Sequence, residues 1–150
     1  MRARLLALAL LLAGCRALPT APWRRGCTVR ARVTRPEPGT YDVELDVRLD
    51  GRRLGRPRAV VRFDRWSTFT LGEPLPAPPL PAPTDRDPEP GAEEARGLRR
   101  GVVIAVRCNS QEAADRVDLD VRLFVVEDGR VEALQETLDL ALGERARLRR

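Results

Sequence analysis

The chain of 150 residues has no histidine and no lysine, one isoleucine (Ile104) and one asparagine (Asn109), and only 4% aromatic residues. Without imidazole there is no Ser-His or Cys-His nucleophile pair, and both the commonest general base and the usual zinc or iron ligand are missing. An enzyme is therefore not expected, nor is a bound metal or cofactor. The few aromatics remove most of the stacking platforms that nucleic-acid and glycan binders use. No apolar run approaches the roughly 20 residues a membrane-crossing helix needs. What is present is arginine: all 27 basic residues are Arg, set against 22 Asp and Glu, amid abundant Ala, Val, Leu, Gly and Pro. That skew is what GC-rich coding gives and is not in itself a binding signature. The length fits one compact domain.

The chain opens with a short basic stretch, Met1-Arg2-Ala3-Arg4, followed by nine apolar residues from Leu5 to Ala13. Nine residues suit the core of an export signal. The run ends in Leu12-Ala13-Gly14-Cys15, which resembles the lipobox of bacterial lipoproteins. The resemblance implies cleavage after residue 14 and acylation of Cys15 with two or three chains. Several chains anchor stably where one anchors marginally. Arg16 stands where inner-membrane lipoproteins of many Gram-negative bacteria carry Asp, so the resemblance favours the outer membrane, with the domain facing the periplasm. Residues 1–14 are then a signal peptide, 15–26 a lipidated N-terminus and tether with Pro19 and Pro22, and 27–150 the folded domain. Removing the signal leaves 25 Arg against 22 acids. Because these alternate along the chain, as in residues 42–50, no nucleic-acid partner is expected.

With Cys15 acylated, Cys27 and Cys108 remain, an even pair in a compartment that permits disulfides. Cys27 is in phase with Val29, Ala31 and Val33, and Cys108 with Val102, Ile104 and Val106, so each points to the apolar side of its strand. The pair reads as a disulfide closing a loop of about 80 residues, worth roughly 4–5 kcal/mol in the chain-entropy model. The alternative is two separate buried thiols.

From residue 27 onward apolar residues recur with period two, the mark of half-buried strands. Tyr41, Val43, Leu45, Val47 and Leu49 alternate with Asp42, Glu44, Asp46, Arg48 and Asp50. Val117, Leu119, Val121 and Leu123 alternate in the same way with Asp118, Asp120 and Arg122. Further strands are expected at 28–35, 58–63, 66–71, 102–108 and 145–148. The stretch 131–142 also fits a helical stripe, but the preceding Asp128-Gly129 turn favours a strand. The expected fold is all-β, an antiparallel sandwich of about seven to eight strands with a Pro-rich insertion.

Eight of the thirteen prolines fall between residues 74 and 90. Such a run favours extended polyproline II conformation and cannot join a ladder, so residues 74–100 are expected to form a Pro-rich loop. Glu93-Glu94 and the Asp115-Asp118-Asp120 set could in principle act as acid/base pairs or calcium ligands. Asp118 and Asp120 share a strand face with Arg116 and Arg122, which fits a charge-paired surface better. Ser67 and Ser110 lack a base. Trp23 and Trp66 read as an interfacial and a core or rim residue respectively.

From Arg56 to Leu148 the order of elements resembles the C-terminal β-domain of bacterial secretins, the ring-forming outer-membrane gates of secretion and pilus systems. The residues carrying this are Pro57-Arg58 before an apolar strand, Thr68-Phe69-Thr70-Leu71-Gly72-Glu73 and Gly101-Val-Val-Ile-Ala-Val106. The alternation from Val117 to Leu123 and the stretch Thr137 to Leu142, followed by Gly143-Glu144, complete it. The resemblance implies an outer-membrane scaffold or accessory role.

The expected function is thus a lipid-anchored, periplasm-facing β-sandwich acting by protein contact, as an envelope assembly, stabilising or accessory component. Its partners would be the membrane, through Cys15, and an envelope protein. The alternative is a small-molecule or glycan binding module of the envelope, which would need a cleft with convergent polar groups.

Overall fold

The computed structural model describes residues 26–77, 89–109 and 115–149. The lipobox with Cys15, the tether with Trp23, residues 78–88 of the proline segment and Ser110 lie outside the described residues. The elements in chain order are β1 (Cys27–Glu37), β2 (Thr40–Leu49), β3 (Arg52–Gly55), β4 (Arg58–Arg62), β5 (Trp66–Pro74), α1 (Ala92–Arg96), β6 (Leu98–Asn109), β7 (Arg116–Glu127), β8 (Arg130–Ala141) and β9 (Arg145–Arg149). All pairings are antiparallel. The first sheet runs β3-β2-β1-β9, with β4 also paired to β2, and the second runs β5-β6-β7-β8. The expected all-β sandwich is what forms, with nine strands among the described residues.

The period-two pattern explains the packing. The apolar faces of the two sheets meet in a core that takes in Tyr41, Leu45, Ile104, Leu119 and Leu123. Burying a side chain of this size contributes roughly 1.5–3 kcal/mol, so the filled space between the sheets dominates the stability. All five apolar residues of β2 and all four named on β7 lie in this core, as their alternation requires. The connections follow the turn chemistry. Asp50 and Asp128 sit at φ 51° and 47°, each followed by a glycine at φ 80° and 78°. Two positive φ values in a row make the two-residue turn whose twist matches that of the paired strands.

Two features depart from the sequence reading. The stretch 74–100 is not loop throughout: it contains α1 and the start of β6. α1 occupies the five residues before Gly97, which caps its C-terminus. Ala95 and Leu98 cover Val103, Phe124 and Val126 on the outer side of the second sheet and build a second, smaller core. β6 is thus apolar on both faces because both are covered.

The second departure concerns the cysteines. Cys27 and Cys108 are both free thiols, 1% and 0% exposed, so the expected bridge is not formed. Phase gave their direction correctly, since both belong to the main core. Direction does not set position: Cys27 stands on β1 of the first sheet and Cys108 on β6 of the second, and each is enclosed by the shared core as a separate thiol.

Candidate functional site

Three features of the surface have geometry beyond that of a solvated sandwich: one sheet edge, one charged face and one polar cluster. The edge is β8. It pairs with β7 over twelve consecutive residues without a register shift, and among the described residues no strand pairs with its other side. The other edges are blunted. β3, β4 and β9 have four or five residues, and β5 ends in a register shift at Pro74.

The turn at Asp128-Gly129 fixes which β8 groups face outward. In a two-residue hairpin the residues flanking the turn, here Glu127 and Arg130, exchange both backbone hydrogen bonds, and the pattern alternates from there. Even-numbered residues of β8 therefore bond to β7. Val131, Ala133, Gln135, Thr137 and Asp139 direct their N–H and C=O groups away from the sheet, a ready template for a further strand. Glu132 and Glu136 fall in phase with the inward Leu134, Leu138 and Leu140.

The charged face is the outer side of the first sheet. A groove of about 150 Å³ between β1, β2, β3 and β9 adjoins a second of about 270 Å³. Seven arginines and three carboxylates line the two. The carboxylates all stand on β2, and two of them are taken by arginines from one side. Arg58 donates to both oxygens of Asp42, with Nε 2.8 Å from Oδ1. Asp46 is met by Arg53 at 3.2 Å, Arg48 at 3.8 Å and Arg56 at 3.9 Å. The Arg58 hydrogen bond holds the Asp42 carboxyl below the usual carboxylate range. At Asp46 desolvation pushes the other way, but the three arginines outweigh it. On the opposite side of β2, register sets Arg30 against Arg147 and Arg32 against Arg145.

The polar cluster lies on the outer side of the second sheet. Asp120 is only 9% exposed. Its Oδ2 accepts from Arg107 Nη2 at 2.8 Å and Asn109 Nδ2 at 2.6 Å, and its Oδ1 accepts from Thr137 Oγ1 at 2.7 Å. Burial would raise its pKa, but the donated hydrogen bonds win and hold it low. The Arg107 and Arg122 guanidiniums stand 4.9 Å and 4.8 Å from the centre of the Trp66 ring, within cation–π range. Arg122 also reaches Glu89 at 3.6 Å. Trp66 thus serves as a platform between two arginines from β6 and β7, consistent with a rim position.

The remaining residues singled out in the sequence do not converge. Glu93 and Glu94 sit in α1, apart from the Asp120 cluster. Asp118 is exposed, while Asp120 is enclosed, so the set does not form one site. Among the described residues no group of three or more His, Cys, Asp or Glu side chains could hold a metal ion. No described helix is long and apolar enough to cross a membrane. The sequence reading missed the arginine pairs on β1 and β9 and the enclosure of Asp120. Its only hint of the first was the alternating Arg145-Ala-Arg147 after Gly143-Glu144. No protein-family model, curated protein or solved structure matches the chain.

Proposed function

We propose that this protein is a lipid-anchored, periplasm-facing β-sandwich that acts by protein contact, as an assembly, stabilising or accessory component of a bacterial cell envelope. Acylated Cys15 supplies local concentration, which raises the occupancy of a weak contact without any new interaction. The contact is made by strand addition at β8, where main-chain hydrogen bonds give affinity and alternate side chains give specificity. The observation that carries this reading is the twelve-residue outer edge of β8, the longest edge strand among the described residues and free of Pro and register shifts. The filled core between the sheets also favours a contact surface over the alternative of a ligand cleft there.

The chemistry of β8 describes the partner. Glu132, Glu136 and Asp139 against Arg130 make the edge acidic. A second copy of β8 would bring like charges together, which disfavours self-pairing. A strand with basic residues at alternate positions suits it.

The test is a crosslinked pull-down of the tagged full-length protein from detergent-solubilised envelopes, run beside Cys15→Ser and Gln135→Pro. Proline at 135 removes an outward N–H and leaves the bonds to β7 in place. Recovery of one stoichiometric envelope partner, lost in both variants, supports the reading. Recovery of no specific partner sinks it, and retention with Gln135→Pro moves the contact away from β8.

A further inference from the structure

We infer that the outer face of the first sheet docks on a bilayer surface of anionic phospholipid. The inference goes beyond the anchored-contact reading and holds for a chain that carries no acyl group. It starts from an arrangement that folding alone disfavours. Arg30 lies opposite Arg147 and Arg32 opposite Arg145, so the β1–β9 pairing sets like charges directly against one another, which destabilises a sheet. Arg30, Arg145 and Arg147 have no ion-pair partner among the described residues. Arg32 donates a hydrogen bond from its Nε to the Gly143 carbonyl, at 3.1 Å. On its other side β1 sets Arg30 opposite Asp46 and Arg32 opposite Glu44. Asp42 and Asp46 are already paired from the β3–β4 side, so of the β2 carboxylates Glu44 alone is left to offset Arg30, Arg32, Arg145 and Arg147. The complement of such a face is an array of anions, and guanidinium is the side chain best matched to phosphate.

The layout of the charges selects the kind of anion. From β9 to β4 the face crosses three strand spacings, about 14 Å, and successive outward residues stand about 7 Å apart along a strand. The cations therefore form a two-dimensional grid, not a track for a linear polymer. None of the residues lining the two grooves is aromatic, so there is nothing on which nucleic-acid bases could stack.

A second, independent observation is apolar. Among the described residues, three of the four exposed large hydrophobic side chains fall at the β3–β4 edge of this sheet: Leu54, Val60 at 66% exposure and, just after β4, Phe63 at 47%. Val60 shares the outward phase of Arg58 and Arg62, since Ala59 and Val61 between them turn inward. Arginines over phosphates beside apolar side chains at the acyl boundary is the combination that interfacial binding uses.

The test reads the orientation of the face, so it is insensitive to any membrane affinity of the N-terminal segment. Full-length Cys15→Ser protein carries an environment-sensitive fluorophore at Val60→Cys, or at Asp118→Cys, exposed on the outer face of the second sheet, as the control. Cys27 and Cys108 do not compete for the label, being buried. With phosphatidylcholine vesicles containing phosphatidylglycerol, the label at 60 is expected to shift to the blue and the label at 118 is not. Pure phosphatidylcholine gives no shift at 60. Arg145→Gln with Arg147→Gln is expected to lower the ratio of docked to undocked protein about thirtyfold, at roughly fivefold per arginine near an anionic surface. Arg96→Gln with Arg100→Gln removes the same charge on the second sheet's side and leaves the ratio unchanged. Because the first pair relieves repulsion, its thermal midpoint should equal or exceed the parent's, which separates lost docking from lost folding. No shift at position 60, equal shifts at 60 and 118, or indifference to the Arg145 and Arg147 substitutions overturns the inference. A stronger response at 60 to heparin than to the vesicles overturns it in favour of a soluble polyanion.

Discussion

Gly72 and Gly101 face each other across the β5–β6 ladder, both at positive φ (154° and 149°), so closely that neither position has room for a side chain. A Cβ on Gly72 would run into the Arg100 carbonyl and stand 2.7 Å from the Gly101 Cα, while one on Gly101 would meet the Leu71 carbonyl and stand 2.7 Å from the Gly72 Cα. Both obstacles are backbone, which cannot swing aside. Gly72→Ala and Gly101→Ala are therefore each expected to cost about 2–4 kcal/mol, from overpacking together with backbone strain. Gly39, also at positive φ but with open space around it, is the control, expected to lose about 1 kcal/mol as Ala. Urea unfolding of the three variants checks the ranking.

Burial raises the Cys27 thiol to about 11 and the Cys108 thiol to about 12, with the nearby Asp50 and Asp120 carboxylates adding to the effect. Neither is a thiolate near neutral pH, and the thiolate is the reactive form. The folded protein is expected to leave both unmodified by iodoacetamide, while denatured protein under the same non-reducing conditions takes up the reagent at both. A denatured sample in which neither residue reacts until reductant is added would show them to be bridged.

The Asp120 carboxylate is held below its ordinary pKa of 3.8 by Thr137, Arg107 and Asn109, against the opposing effect of burial. A group depressed in the folded state stabilises it above the unfolded pKa, and that stability fades as pH falls through the folded value. Asp120→Asn is expected to lose about 1–3 kcal/mol at pH 7, the scale of a hydrogen-bonded charge left without its partner. The gap to the parent should close as pH drops below about 4. Urea midpoints across that range test it, and a gap that widens in acid would sink the assignment.

Glu132 and Glu136 place two carboxylates in the inward phase of the exposed strand. Inward charges on an edge strand oppose edge-to-edge pairing. Glu132→Leu with Glu136→Leu is expected to turn a monodisperse protein into one that self-associates with rising concentration, as read by sedimentation velocity. Adding Gln135→Pro should restore the monodisperse state by removing an outward donor.

How much of this was legible follows from the range of each interaction. β2 and β7 could be read because alternation is a nearest-neighbour property, and the Asp-Gly turns because two adjacent φ values define them. β3 could not, since Arg52-Arg53-Leu54-Gly55 offers one apolar residue and no period. The partners of Asp120 come from β6 and β8, eleven to seventeen residues away, so a carboxylate that reads as surface in its own strand is enclosed once the register is set. The arginine face was hidden for the same reason at longer range: β1 reads as an ordinary charged strand until β9 is laid beside it.

That pairing also orders the protein's assembly in time. Thr28 is matched with Arg149 and Arg32 with Arg145, contacts that close loops of more than a hundred residues. Every other strand pair is more local, so the second sheet and the β1–β2 hairpin can form while β9 is still on its way. The open flank of β1 stays unsatisfied until then. A chain delivered through a translocation channel, first residue to last, would hold that flank exposed for the whole passage and seal it in one final step. Slow, late closure is what non-local β topology dictates, and it makes this flank the part of the young protein most in need of protection.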